Sequence, residues 1–502
     1  MKHDVIIVGS GAGGSAAAYH LAQNGLRVLL LERGPVLPKD GSTLDVEKVF
    51  GRKLFIDDES WLDGRGRTVV PQERSNLGGK TKWYGAALIR FAPAEFGADA
   101  AHQCAAWPLT YEELAPFYDE AEHLLGVRQF EIEPQLQEIV GSLRRRDAGW
   151  SKVPVPLALA PEVLDHPDEA KHFDAFASPL GLKGDGEKLL DRVRQRPNLQ
   201  ILTGKSVSAL LPAPSGPRRV AGVQCADGTR YESDLVILAG GALHSPRLLQ
   251  RYYEEQGLAS LAEYRLIGRN YKSHLLTAML AFSLGSKTDV LRKTAALLHS
   301  DLPHSSVQPL GWTDGELFAT EAPALLPRWL SEFIGKRVYG FFLQTEDGSH
   351  FDNRVLAHAP GSSLPLIDYD PQRLAPALAE HQRLRRKLAR QLLALGYLPL
   401  TKTIPLAGTA HACGTLMTGR DPELSVVDPQ GRVHGLENLF IADGSVLPRS
   451  SRVNPALTIY AWALRLASLI SSSQRASKQA GTGQDRGQDR AISSTLHSAD
   501  IS

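Results

Sequence analysis

Near the start of the chain, the apolar run at residues 5–8 ends in Gly9-Ser10-Gly11-Ala12-Gly13-Gly14 and passes directly into an alanine-rich segment. Four consecutive aliphatic residues of this kind make a strand buried on both faces. Gly9, Gly11 and Gly14 stand at G-x-G-x-x-G spacing. Gly9 permits the tight turn, Gly11 lets the backbone approach a pyrophosphate, and Gly14 lets the helix pack closely on the strand. Residues 15–22 are helix formers, Asn24-Gly25 is a helix stop, and residues 28–31 form a second buried strand. Glu32 ends that strand, where a carboxylate can accept hydrogen bonds from an adenosine ribose. The result is a βαβ unit whose helix N-terminus offers unpaired N–H groups to phosphates. The motif does not separate NAD from FAD, although its position at the start of the chain favours FAD.

A second Gly-terminated strand, "DLVILAGGALHSPRLL" at 234–249, carries Gly240-Gly241 and then a helix with Pro246 expected in its first turn. It suits a long dinucleotide lying across the sheet, and equally an ordinary strand-to-helix turn. Strands are expected at 199–211, 219–228, 230–241 and 338–345, and sheet around 354–358. Helices are expected at 107–126, at 376–396 as a surface-exposed element, and at 454–470. The polar, partly repetitive segment 472–502 reads as a disordered tail.

At 502 residues the chain needs more than one lobe. Its 56 basic and 55 acidic residues leave a net charge of +1, which excludes the one-sided basic surface of a nucleic-acid binder. Cys104, Cys225 and Cys413 are too far apart for a disulfide framework or a zinc site, so no metal is expected. No apolar run is long enough for a transmembrane helix, and the first residues lack signal-peptide architecture. A cytoplasmic protein is the expectation.

Four blocks near the C-terminus carry a family resemblance: H-x-x-G-T at 411–415, D-P-x-x-S-V-V-D at 421–428, N-L-F-I-A-D-G-S at 438–445 and N-P-x-L-T at 454–458. Together they resemble the closing segment of the glucose–methanol–choline (GMC) oxidoreductases. "LGG" at 77–79, "GALHSPRLL" at 241–249, "GRNYKSH" at 268–274 and "EDGSHFDNRV" at 346–355 extend the likeness in the family's order.

The resemblance implies an α/β fold, with a Rossmann-like FAD-binding domain and a second α+β substrate-binding domain on a mostly antiparallel sheet. The first would take residues 1–100, 195–270 and 405–471, the second residues 101–194 and 271–404. It implies FAD-dependent oxidation of a CH–OH group by hydride transfer to flavin N5. His411 would be the general base and Asn454 the group that holds the alcohol oxygen. An alcohol does need a base with a pKa near neutrality and a hydrogen-bonding partner for the developing charge. Asn454-Pro455 also reads as an ordinary helix start, with Asn as cap and Pro at the first position. A sugar, polyol or glycoside is favoured because "WPLTYEELAPFYDEAEHLLGV" (107–127) resembles the matching helix of sugar-oxidising members.

The same likeness assigns Gly78, Gly79, Tyr84, Gly85, Val207, Gly240, Asp443, Gly444, Asn454 and Pro455 to the cofactor, beside Gly9, Gly11, Gly14 and Glu32. Some members attach flavin covalently through a His about four residues after the second Gly; here that place is Trp83, with Lys82 before it, so FAD is expected to be held non-covalently. Tyr84 stands where members usually carry Asn. Gly414-Thr415-Leu416-Met417-Thr418-Gly419 lacks an Arg common in the family, and Arg449 and Arg452 precede Asn454. One of these arginines is expected to face the pocket and favour an anionic or highly polar substrate. His244, His274, His350 and His434 are expected to be structural, Cys413 a small buried residue and Met417 a core filler. The electron acceptor is open between oxygen, a quinone and a carrier protein. A flavin-dependent lyase or decarboxylase on the same scaffold, and a non-catalytic flavin-binding protein, remain alternatives; the C-terminal segment argues against an NAD-dependent dehydrogenase.

Overall fold

The computed structural model describes residues 2–321 and 327–495. Its first sheet is parallel at the centre. His3–Val8 lies between Val28–Leu31 and the long strand Arg230–Leu238, with Leu199–Leu202 outside the former and Leu439–Ile441 beside the latter. Val5, Ile6, Ile7, Val28, Leu29 and Leu30 have no exposed surface, as expected of a strand covered on both faces. The first part of Arg230–Leu238 pairs instead with Gly216–Cys225, which pairs antiparallel with Val207–Ala213. The stretch 199–211, expected as one strand, is therefore two. The break falls at Gly204, whose φ of +70° turns the chain out of the parallel sheet.

The second sheet has six strands, all antiparallel, in the order Leu398–Thr403, Leu275–Phe282, Val338–Thr345, Leu302–Pro309, Ala295–His299, Trp150–Pro154. Its two faces do different things. Tyr339, Phe341 and Leu343 join Met279, Val307 and the helices Pro134–Arg146 and Ala375–Ala394 in a second core. Phe342 and Gln344, one residue out of phase, line a cavity with Leu276 and Gln308. Helix Ala375–Ala394 is not simply a surface helix. Ala377, His381, Leu384, Leu388 and Leu392 form a stripe at helical spacing that seals this sheet. A third, small sheet joins Trp61–Asp63 and Thr68–Val69 to Arg354–Leu356 and Leu366–Asp368, so the sheet expected around 354–358 is separate from the six-stranded one.

Helices Tyr111–Leu125 and Gly186–Asp191 lie within 101–194, the span expected in the substrate-binding domain. Both pack on the first lobe: Leu114, Tyr118, Leu189 and Leu190 share one core with the βαβ unit, and Tyr118 Oη lies 2.7 Å from Thr458 Oγ1 of the last helix. That last helix runs Ala456–Thr495, so the polar segment beginning at 472 is helical as far as Thr495 rather than a disordered tail from its start. Gln, Arg, Lys and Ala are good helix formers, and the buried turns before them supply the nucleus. The remainder, residues 496–502, lies outside the described residues. No described helix is long and apolar enough to cross a membrane.

Candidate active site

A cavity of about 740 Å³ opens between the Gly-rich turn of the first lobe and the inner face of the six-stranded sheet. Gly9, Gly11, Glu32, Gly79, Tyr84, Gly85, Val207, Gly240, His411, Asp443, Gly444, Asn454 and Pro455 all line it. Gly14 and Gly78, also expected at the cofactor, do not.

The turn shows why these residues are small. Gly9 has φ +100°, and a Cβ on Gly14 would lie 1.9 Å from the Gly9 carbonyl oxygen. Gly13, which the spacing motif ignores, is tighter still: its Cβ would lie 1.4 Å from the Ala442 oxygen, where the first and last segments of the lobe meet. Gly11 differs, since a Cβ there would touch nothing within 4 Å. Gly11 is also the N-cap of helix Ala12–Gln23 and caps it with no side chain. The uncapped N–H groups and the open space beside Gly11 fit a pyrophosphate.

Ser10, invisible to the glycine pattern, is the hub of this end. Its N–H and hydroxyl donate to Glu32 Oε2 at 3.0 and 2.6 Å, and its Oγ accepts the Gly78 N–H at 2.9 Å. Gly78 thus serves by docking its loop onto Ser10, and Gly14 by packing. Glu32 Oε1 also accepts the Gly34 N–H, and burial raises the pKa of this carboxyl. Asp443 receives Gly241 N–H, Ser245 Oγ and both Ser445 donors, so its side chain braces the turns while its backbone borders the cavity. Burial raises its pKa as well.

Trp83 donates from Nε1 to Asn76 Oδ1 and is stacked beneath the Arg74 guanidinium at 4.0 Å. The Tyr84 hydroxyl turns away from the cavity and donates to the Gly184 carbonyl, leaving the ring as wall. Gly85 is pressed against an ion pair: a Cβ there would stand 2.3 Å from Asp174 Oδ1 and 2.5 Å from Lys293 Nζ. Lys293 Nζ and Asp174 Oδ2 are 2.8 Å apart, and both residues line the cavity. Neither drew attention in the sequence, because their partner relation spans more than a hundred residues. Ala175, next to Asp174, holds φ +70°, a strained conformation for a residue with a side chain.

At the other wall, His411 Nδ1 lies 3.2 Å from His274 Nδ1, and His274 Nε2 lies 2.8 Å from the Ser451 carbonyl oxygen. The rings meet edge to face, with centroids 5.0 Å apart. Burial, then His274, Lys293 and Lys80, lowers the His411 pKa well below the ordinary 6.5. Asn454 does not cap the last helix with its side chain. Its carboxamide pairs reciprocally with that of Gln308, at 3.2 and 3.3 Å, and donates to the Ala87 carbonyl. Pro246 sits inside helix Gly241–Glu255 rather than in its first turn, and the Thr415 hydroxyl donates to the Ala242 carbonyl that Pro246 leaves without a helical partner.

Arg449 and Arg452 do not face the pocket. Arg449 is buried against Glu346, with Nε–Oε1 at 2.8 Å, and donates to the Gly97 carbonyl; Arg452 donates to the Pro303 carbonyl. Two residues so near Asn454 in sequence point elsewhere because other acceptors, the buried Glu346 carboxylate that Arg449 shares with His304 and the Pro303 carbonyl for Arg452, decide the direction. His350 and His434 stay outside the cavity, paired with the Asp352 N–H and Ser425 Oγ. His244 lines it, lying 3.4 Å from both Arg33 and Arg247. Cys413 is buried, as expected, whereas His274 touches His411 directly.

Comparison with known proteins agrees with this architecture. A family model described as FAD dependent oxidoreductase matches residues 4–259, and one described as GMC oxidoreductase matches residues 375–463. Paromamine 6'-oxidase of Streptomyces fradiae is 29% identical, over 93% of this chain and 91% of its own. The 2-methyl-1,2-propanediol dehydrogenase of Mycolicibacterium austroafricanum is 24% identical, over 93% and 95%. The solved structure of pyridoxine 4-oxidase from Mesorbium loti superposes with a TM-score of 0.67 at 20% identity, covering 93% of this chain and 99% of that one. The chain belongs to the FAD-dependent GMC oxidoreductases and is an enzyme that oxidises CH–OH groups.

Proposed function

We propose that this enzyme oxidises the alcohol group of a polyhydroxylated substrate, a sugar or glycoside, with His411 as the general base and Asn454 as the partner of the alcohol oxygen. The observation that carries the reading is the placement of His411 and Asn454 on the wall of the same cavity that the Gly9–Gly11 turn enters. FAD, when bound, supplies the two-electron acceptor for the hydride. The alcohol proton goes to His411, which burial and nearby positive groups keep neutral and ready to accept it. The Asn454 amide gives its two N–H groups to Gln308 and Ala87 in the resting site, so holding the oxygen as negative charge develops means exchanging one of these bonds for the substrate.

The polar wall supports a hydroxyl-rich substrate. Asp174, Lys293, Gln308 and Gln344 offer donors and acceptors beside the apolar Leu276, Phe342 and Ile404. Relatives named for paromamine and for a branched diol point the same way. FAD is held non-covalently, since Trp83 is spent on Asn76 and Arg74 and offers no nucleophile. Three unpaired, buried cysteines suit the cytoplasm.

The test is the visible spectrum of purified protein, followed by anaerobic mixing with a panel of amino sugars, polyols and simple alcohols. Flavin bands that bleach with a sugar or polyol, and flavin released by acid precipitation, are expected. Flavin that no alcohol bleaches would favour the lyase or the non-catalytic alternative, and the absence of flavin would remove the reading altogether.

A further inference from the structure

The two histidines at the cavity wall form part of a chain that begins in the backbone. Ser451 holds φ +66° and His274 φ +64°, both left-handed conformations that residues with side chains rarely adopt. Ser451 is fixed there by two buried carboxylates: its N–H donates to Glu346 Oε1 at 3.0 Å, and its hydroxyl to Glu95 Oε1 at 2.6 Å. The Ser451 carbonyl oxygen is thereby held 2.8 Å from His274 Nε2. A carbonyl can only accept, so His274 Nε2 must carry a proton. Among the described residues no carboxylate hydrogen-bonds either imidazole. A neutral His274 with Nε2–H has a bare Nδ1. The contact of 3.2 Å between the two Nδ1 atoms then requires the proton to sit on His411 Nδ1.

We infer that His274 is a positioning residue that fixes His411 in the Nδ1–H tautomer, so that Nε2 is bare and serves as the base. The alternative tautomer would present an N–H to the substrate hydroxyl, and such a ring cannot accept its proton. During turnover the alcohol proton would add to Nε2, while Nδ1–H keeps its bond to His274. The resulting imidazolium is held in place, and no proton leaves the pair. The inference rests on the assignment of His411 as base, but the protonation pattern can be read without any substrate.

The experiment labels the histidine rings with nitrogen-15 in the FAD-loaded protein and records long-range nitrogen–proton correlations, with His411→Ala used to assign the His411 signals. Wild type should show a proton on His411 Nδ1 and none on Nε2. His274→Leu should shift the population toward Nε2–H, and His274→Asn, whose amide can donate to Ser451 and accept from His411, should restore the wild-type pattern. With an alcohol that bleaches the wild-type flavin, His274→Leu should slow bleaching by about 10²-fold and His274→Asn should recover most of that loss. FAD absorbance establishes that each variant is folded. A proton on Nε2 of His411 in wild type, or an unchanged pattern in His274→Leu, overturns the inference. Failure of every alcohol to bleach the flavin, with the tautomer as expected, would instead count against the proposed function.

Discussion

His411 can act as a base only if its ring is neutral in the resting enzyme, and burial is the largest reason that it is. The sign follows directly: a base works deprotonated, so flavin reduction should fall as pH drops through the folded pKa. Because that pKa is depressed, the acid limb of kcat/KM should lie below 6.5, measured across a pH series with one substrate. Tyr84→Phe should leave flavin reduction within about threefold of wild type, because the hydroxyl serves Gly184 rather than the cavity; a loss of about 10²-fold or more would place that hydroxyl in the chemistry. That His411 and Asn454 share the cavity wall was legible because each sits in a short motif. Ser10, His274, Gln308, Asp174 and Lys293 were not, since each acquires its role from a partner far along the chain: His274 is 137 residues from His411, and Gln308 is 146 from Asn454. Arg449 and Arg452 were misread for the same reason, sequence proximity to Asn454 carrying no information about side-chain direction.

Among the elements, the segment before the last helix depends on a buried ion pair. Burial pushes the Glu346 carboxyl up, but Arg449 and His304 outweigh it and hold its pKa below the usual range. The stability this supplies is present above the ordinary carboxylate pKa and lost as pH falls through the folded value. Arg449→Met leaves Glu346 buried without its main partner and should cost about 3–5 kcal/mol in chemical denaturation, with FAD loss as a secondary effect. Thr415→Val leaves the Ala242 carbonyl opposite Pro246 unsatisfied and should cost about 1–3 kcal/mol. A variant as stable as wild type would mean that another donor, or water, satisfies that carbonyl. The βαβ unit was plain in the sequence, because buried parallel strands read as continuous apolar runs around a glycine turn. The split of 199–211 was not, since residues on both sides of Gly204 favour strand and only the separate partners, Leu29 on one side and Val223 on the other, divide them.

At the scale of the whole molecule, the cavity is walled by both lobes, so a cofactor that fills it stabilises the native state by mass action. Free FAD at 100 times its Kd should add about 2.7 kcal/mol to unfolding free energy, and stripping FAD should lower the thermal midpoint accordingly. The alternation along Val338–Thr345, with Phe341 toward helix Ala375–Ala394 and Phe342 toward the cavity, is what lets one sheet serve both as core and as substrate wall. Fold class and cofactor were readable from the two ends of the chain; the identity of that wall required the strand order of the second sheet. The central claim, alcohol oxidation with His411 as base, is tested most directly by anaerobic stopped-flow reduction of the bound flavin in wild type and His411→Ala, using an alcohol that bleaches the wild type. The variant should retain FAD and lose about 10²–10⁴-fold in reduction rate; reduction at the wild-type rate would contradict the account.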